Sequence, residues 1–301
     1  MGRRFDTISF LSDLGVVDEH VGVVKAVVRD LAPHAQVIDL TLHIAPYDVR
    51  AGSLALARAV TYLPAGVVLA VVDAGERRAV AVEVADGKGV LVGPDNGLLA
   101  AAAAMVGGAG RTAVLDRDEF HLVSAGGTLA VRDVFAPIAA HLCNGIDLAD
   151  LGRLVDAESL LPGVVPLPRG LDALDDVDQV NGPAAKVGVR AEVLWIDHNG
   201  NCQLNIGLDD VAPWGLAEGT RLQITAGEQT RSALRVGRAG SLGPGAVGLL
   251  VDGSGLLTLV LDRRSAADEL SLAAADQVTV RPLDEAADST ASGSVPIELR
   301  R

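Results

Sequence analysis

The sequence predicts an α/β N-terminal domain with a mainly parallel central sheet, followed by a smaller C-terminal all-β barrel domain. Three observations predict this. Up to about Leu154, short apolar runs alternate with segments of helical period, the pattern of strands covered by helices. Between residues 155 and 184, Pro162, Pro166, Pro168 and Pro183 interrupt the chain, and Asp172, Asp175, Asp176 and Asp178 crowd together, which reads as a linker. From Lys186 onward the strand-like runs are short and separated by Gly-rich turns. The expected organisation is a domain over 1–154, a linker over 155–184, a barrel over 185–286 and a small, polar tail over 287–301.

Each element has a local reason. Thr7 to Leu11 is an apolar strand. From Glu19 to Leu31 the residues Val21, Val24, Val27, Val28 and Leu31 recur at helical spacing, with Asp18 as the expected N-cap. Gln36 to Leu40 is a second strand, and Ala51 to Tyr62 a helix stopped before Pro64. Val67 to Val72 is unbroken in its apolarity, as in a strand buried on both faces. Ala79 to Val84 and Gly89 to Val92 flank Asp86-Gly87 and predict a hairpin. An Ala-rich helix over Gly97 to Val106, a strand over Arg111 to Leu115 and a helix over Asp133 to Cys143 complete the first domain. In the second, strands are expected over 187–196, 202–206, 221–225, 248–251, 256–261 and 277–282.

Composition narrows the function. The chain has 301 residues, enough for a substantial core, and aromatics are only 3%, so that core rests on Val, Leu and Ala. A net charge of -14 disfavours binding to a phosphate backbone, so no nucleic-acid partner is expected. Two cysteines, Cys143 and Cys202, suit a reducing cytoplasm better than a disulfide scaffold. The longest apolar run, Leu98 to Val106, is too short for a bilayer, and no signal-like leader is visible, so a soluble, cytoplasmic protein is expected. The six histidines lack metal-ligand spacing, and no phosphate-binding Gly-Lys loop occurs, so no metal and no cofactor is expected.

Five segments carry candidate chemistry, and each has a plain alternative. Ser12-Asp13, with Asp18 nearby, leaves the first strand where α/β sheets bind ligands; it is a turn and helix cap, or a carboxylate for ribose hydroxyls. Tyr47 stacks on a nucleoside or packs in an interface, and Asp48 reads as a first-turn helix charge. Asp73, followed by Arg77 and Arg78, is a surface ion-pair hairpin or a carboxylate that polarises a nucleophile. Gly93-Pro-Asp-Asn-Gly97 consists of turn formers. Asp197-His-Asn-Gly-Asn201 is a hairpin turn or, through Asn201, a match to an adenine edge.

Taken in order, these segments resemble the S-adenosylmethionine hydroxide adenosyltransferase family, which is related to the fluorinase and chlorinase enzymes. The matching stretches include Phe10-Leu-Ser-Asp-Leu-Gly15, Ile44-Ala-Pro-Tyr-Asp-Val-Arg50, Val71-Val-Asp73, Val92-Gly-Pro-Asp-Asn-Gly97, Arg132-Asp-Val-Phe135, Ile196-Asp-His198, Leu204-Asn-Ile206 and Gly253-Ser-Gly-Leu-Leu257. The resemblance implies hydrolysis of S-adenosyl-L-methionine to adenosine and L-methionine, by attack of water or hydroxide at ribose C5′. It implies a homotrimer in which one subunit's N-terminal domain and a neighbour's C-terminal domain enclose the substrate. It assigns Asp73 with Arg77 or Arg78 to catalysis. It assigns Asp13, Asp18, Tyr47, Asn96, Asp197, Asn201, Ser254 and the backbone near Leu261 and Arg263 to substrate binding.

The chain departs from the family pattern twice. The loop after Asp73 is about three residues shorter than in the family. Where the family has Thr-Phe-His-Gly-Arg-Asp, this chain reads Thr128-Leu-Ala-Val-Arg-Asp133, so Ala130 stands at the histidine position and Val131 adds bulk at the glycine. His121, nine residues before Ala130, is a candidate replacement or a structural histidine. A halide nucleophile and a non-catalytic nucleoside binder are the alternative functions.

Overall fold

A computed structural model describes residues 2–124, 129–163, 168–170 and 188–283. Most of the expected linker and the expected tail lie outside the described residues. The chain divides into two compact units, Met1–Val165 and Pro166–Arg301.

The first unit begins β1 (Thr7–Ser12), α1 (His20–Leu31), β2 (Gln36–Thr41), α2 (Val49–Val60), β3 (Gly66–Val71). β3 is buried at every position, as its unbroken apolar run requires. The residue flanking α1 is Glu19, which makes no side-chain cap; Asp18 instead accepts from His20 N at 3.3 Å from one position earlier. Then come β4 (Ala79–Val84) and β5 (Gly89–Pro94), joined by a tight turn in which Ala85, Asp86 and Gly87 all have positive φ. α3 (Ala100–Met105) starts later than its composition suggests, because Gly97 has φ 89° and Asn96 Oδ1 takes the Leu98 N–H. β6 (Thr112–Val114), a π-helical turn (Val131–Phe135), α4 (Ala136–Cys143), α5 (Leu148–Leu151) and β7 (Arg153–Val155) complete the unit.

The sheet order is β2-β1-β3-β5-β4-β6-β7. The β2-β1-β3-β5 half is parallel, and the β5-β4-β6-β7 half antiparallel. The Val72–Arg78 connection is too short for a parallel crossover, so the chain reverses between β3 and β4. On one face of the sheet Ile8, Phe10, Val67, Leu69 and Val71 pack with Val24, Val28, Phe135, Ile138 and Leu142 into the main core.

An ion-pair cluster closes one side of this unit. Glu83, its side chain 9% exposed, accepts from Arg111 Nε at 2.7 Å and from Arg4 Nη2 at 2.9 Å, and Arg111 Nη2 also donates to Asp147 at 3.0 Å. The Arg111 guanidinium holds the carboxyls of Glu83 and Asp147 below the usual carboxylate range. Both carboxyls therefore add stability that is full above about pH 4 and lost as the pH falls through their lower folded-state values. Arg111→Met is expected to cost about 2 kcal/mol at pH 7, a figure discounted for its half-exposed guanidinium. Urea unfolding at pH 7 and pH 3 checks this. The gap to the wild type should shrink at pH 3, and an equal gap at both pH values would count against the ion pairs as its source.

The second unit contains β8 (Arg169–Gly170), β9 (Val189–Ile196), β10 (Cys202–Gly207), β11 (Arg221–Ala226), β12 (Gln229–Arg235), β13 (Val247–Val251), β14 (Leu256–Val260), α6 (Ala266–Leu270) and β15 (Gln277–Pro282). The order β10-β14-β13-β12-β11-β15-β9 closes on itself through the β9–β10 pairing, giving a seven-stranded barrel with β8 added beside β9. All pairings are antiparallel except β12–β13. Val193, Leu204, Ile224, Leu249, Leu259 and Val280 fill the interior. β12 was not expected from sequence, because only Ala233 in it is buried and the strand carries little apolar alternation.

Candidate active site

The strand order of the first unit reverses at β1. The chain leaves β1 for β2 on one side, then crosses to β3 on the other. Ligands bind open α/β sheets at such switch points, outside the carboxyl ends of the strands. Asp13 follows β1 there and Asp73 follows β3.

The structure ties these two residues together. Asp13 Oδ2 accepts from Asp73 N at 3.2 Å and from Tyr47 N at 3.1 Å. Both donors have left-handed backbone, with φ of 46° at Asp73 and 67° at Tyr47. That conformation is unfavourable for a tyrosine, so the Asp13 carboxylate helps to hold it. The Tyr47 ring is left 77% exposed beside this edge. Asp48 is the N-cap of α2, accepting from Ala51 N at 2.9 Å, which is the helix-start role expected of it.

Asn96 approaches from the turn after β5. Its Nδ2 donates to Val72 O at 2.9 Å and Asp73 O at 3.1 Å, while Oδ1 accepts from Leu98 N at 3.2 Å. These bonds clamp the start of the Asp73 loop, so Asn96 acts here as a support for Asp73. The close approach needs a glycine two residues before Asp95, since a Cβ on Gly93 would lie 2.2 Å from Ala70 O.

The two arginines are used differently. Arg78 pairs with Asp95, whose side chain is 4% exposed, with Nε to Oδ2 at 3.0 Å, and it donates to Ser159 O at 3.2 Å. Asp95 Oδ1 also accepts from Leu161 N at 2.8 Å, and Asp95 N donates to Arg78 O at 2.8 Å. Both arginines are exposed, but Arg78 is bound up in fastening the end of the loop to residues 159–161, whereas the Arg77 side chain makes no hydrogen bond or ion pair among the described residues. The Asp95 anchor has no local signal, because every residue of Gly93-Pro-Asp-Asn-Gly97 is explained by turn chemistry alone. Asp18 is exposed just ahead of α1.

Near residue 130 the chain folds as a π-helical turn. Val131 is 3% exposed and belongs to the main core with Val71 and Phe135, and Leu129 and Ala130 pack against that core. Asp133 is buried; it accepts from Arg132 Nε at 2.5 Å and from Leu129 N at 2.9 Å, and the arginine holds its carboxyl below the usual range. Leu122 N donates to Asp133 O at 2.8 Å, so the 120–124 segment is docked on this turn. His121 Nε2 is buried there without a hydrogen-bond partner among the described residues.

In the barrel, Asp197 organises the β9–β10 turn. Its carboxylate accepts from Asn199 N at 2.8 Å, Asn201 N at 2.9 Å and Asn201 Nδ2 at 2.8 Å. Asn201 therefore keeps its amide oxygen and one amide proton for other partners. Gly200, with φ 78°, touches the segment after β14: a Cβ there would lie 2.2 Å from Ser265 Oγ, and Gly200 O accepts from Ala267 N at 2.9 Å. Cys202 pairs with Leu259, so Asn201 and the Leu261–Arg263 segment share one end of the β10–β14 pair. Ser254 lies at the other end of β14, in a turn built on Asp252, which accepts from Ser254 N at 2.8 Å.

A recess of about 450 Å³ lies elsewhere in the first unit, lined by Val80, Val82, Leu99, Ala103 and Leu161. None of Asp13, Tyr47, Asp73 and Asn96 lines it. Among the described residues, no group of three His, Cys, Asp or Glu side chains is arranged to hold a metal ion, and no helix is long and apolar enough to cross a membrane.

Comparison with known proteins places the chain in a family. Residues 8–152 match the SAM hydroxide adenosyltransferase N-terminal domain, and residues 191–279 its C-terminal domain. The chain is 39% identical over 276 residues to an (R)-S-adenosyl-L-methionine hydrolase of Salinispora tropica, covering 91% of this chain and 97% of that protein. It is 34% identical to an (R)-S-adenosyl-L-methionine hydrolase of Thermus thermophilus, over 88% of this chain and 95% of the relative. A fluorinase of an Actinoplanes species is 24% identical over 246 residues, covering 72% of this chain and 77% of that enzyme. Among solved structures, an uncharacterized conserved protein from Thermotoga maritima superposes with a TM-score of 0.77 at 28% identity, covering 91% of this chain and 99% of its own. With both of its units matched in order, the chain belongs to the SAM hydroxide adenosyltransferase family.

Proposed function

We propose that this chain hydrolyses S-adenosyl-L-methionine to adenosine and L-methionine. The observation that carries the reading is the Asp13–Asp73 pairing at the switch point, in a chain 39% identical to an (R)-S-adenosyl-L-methionine hydrolase. The sulfonium is already a good leaving group, so the protein has mainly to orient water and strip it of competing solvent. Water attacks ribose C5′; the new C–O bond forms as the C5′–S bond breaks, and its electron pair leaves with the methionine sulfur. The water's proton passes to the Asp73 carboxylate and then to solvent. Asp13 holds the ribose hydroxyls, Tyr47 stacks on the nucleoside, and Asp18 lies nearby. Arg77 is the arginine free to reach the reacting groups. Arg78 and Asn96 act through the loop that they fasten.

Asp197 and Ser254 face the methionine portion, and Asn201 reads adenine beside the backbone of Leu261 and Arg263. These belong to a neighbouring subunit in a homotrimer. Support for assembly comes from apolar exposure next to Asp13 in the chain: Val16 is 54% and Val17 100% exposed. Both cysteines are free and buried, which suits a cytoplasmic setting.

The test is to incubate purified protein with S-adenosyl-L-methionine and resolve the products by chromatography, with fluoride, chloride and bromide added separately. Adenosine above the no-enzyme control, equal in all salts, is the expected result. A 5′-halogenated adenosine would instead make the chain a halogenase, although the Asp73 carboxylate opposes an anionic nucleophile. Binding by calorimetry without any product would make it a nucleoside binder, the reading that Ala130 favours. Light scattering after gel filtration checks the trimer.

A further inference from the structure

Ser12 stands directly before Asp13 and is completely buried, yet its hydroxyl has no hydrogen-bond partner among the described residues. A buried polar group without a partner is costly, and proteins keep few of them. The register of the sheet locates this one. β1 and β3 pair without a slip from Ile8↔Val67 to Ser12↔Val71. Side chains two apart on a strand share a face, so Ser12 lies on the face of Ile8 and Phe10, alongside Val71. That face carries the main core, against which Leu14, Ala74, Leu129 and Ala130 also pack. Ser12 is therefore the last inward residue of β1, at the edge of the core nearest the site. One residue further on is Asp13, and two residues beyond its strand neighbour Val71 is Asp73.

We infer that the Ser12 hydroxyl holds the water that attacks ribose C5′, sharing it with the Asp73 carboxylate. This rests on the hydrolase reading given above. A serine hydroxyl offers one donor and two acceptors, and the strand supplies none of their partners here. The 129–131 turn that packs on the same core presents Leu129, Ala130 and Val131, so it brings no polar side chain to this place. Ser12 Oγ exposes less than 1 Å² to solvent in this structure, so the water reaches it together with the substrate; held between Ser12 Oγ and the Asp73 carboxylate, it would satisfy the hydroxyl below the ribose that Asp13 holds. No proton is taken by Ser12, which orients the water while Asp73 receives its proton.

Ser53 gives an internal control. It is also buried, with its hydroxyl unpartnered among the described residues, but it lies on α2 rather than at the end of a sheet strand. Ser12→Ala is expected to lower kcat about 10-fold, the loss of one hydrogen bond to a reacting group, with KM unchanged and thermal stability equal or higher. Ser12→Thr, which keeps the hydroxyl, should retain most of the rate, and Ser53→Ala should leave it unchanged. In a crystal structure with adenosine bound, an ordered water within about 3 Å of Ser12 Oγ is expected. A wild-type kcat in Ser12→Ala overturns the inference alone, as does a Ser12→Thr variant as slow as Ser12→Ala, which would assign the loss to packing. A wild-type protein that releases no adenosine overturns the hydrolase reading itself, and the inference with it.

Discussion

Asp73→Asn is expected to lower kcat by about 10²-fold or more while leaving KM little changed. Asn is the informative replacement because residue 73 has φ 46°, a conformation that Asn tolerates and Ala does not. The backbone N–H that reaches Asp13 and the carbonyl that receives Asn96 are both kept. What is lost is the negative charge proposed to orient water and take its proton. Steady-state kinetics with S-adenosyl-L-methionine check this. A variant with unchanged kcat would remove Asp73 from the chemistry, and one changed only in KM would make it a binding residue.

Asp13→Ala is expected to reduce kcat/KM by about 10²- to 10⁴-fold, since the two hydrogen bonds proposed between the ribose hydroxyls and this carboxylate, at about 1.5–3 kcal/mol each, would be lost. A second effect comes from the backbone contacts of this carboxylate. The same carboxylate accepts from Tyr47 N and Asp73 N, so its removal releases two left-handed residues at once. Asp13→Asn separates the effects, because an amide oxygen can still accept from both backbone groups while the charge is gone. Calorimetric titration with adenosine should show weaker binding for both variants. Adenosine affinity equal to wild type in Asp13→Ala would exclude the ribose role.

Arg78 shows where sequence reasoning stops. Arg77 and Arg78 are adjacent and chemically alike, and the shortened loop after Asp73 leaves either in range of the site. The difference lies at Asp95, seventeen residues on, which is buried and takes the Arg78 guanidinium. Asn96 follows the same logic: as a turn residue or a ligand it reads the same in sequence, and only the folded chain shows its amide spent on Val72 O and Asp73 O. β12 is hard to read from sequence because a barrel strand with a single buried side chain leaves almost no apolar pattern.

That an α/β sheet precedes a barrel was legible in the residues alone, since apolar period and turn chemistry are local properties written in consecutive residues. So was the family, through short stretches whose order along the chain is preserved. It takes the folded chain to show that Asp13 holds the backbone of Tyr47 and Asp73, that Arg78 is committed to Asp95, and that Ser12 is buried with an unused hydroxyl. Each of these depends on residues far apart in the chain meeting at the β1–β3 switch point or beside it. Strand order and register create those meetings, and no local pattern encodes them.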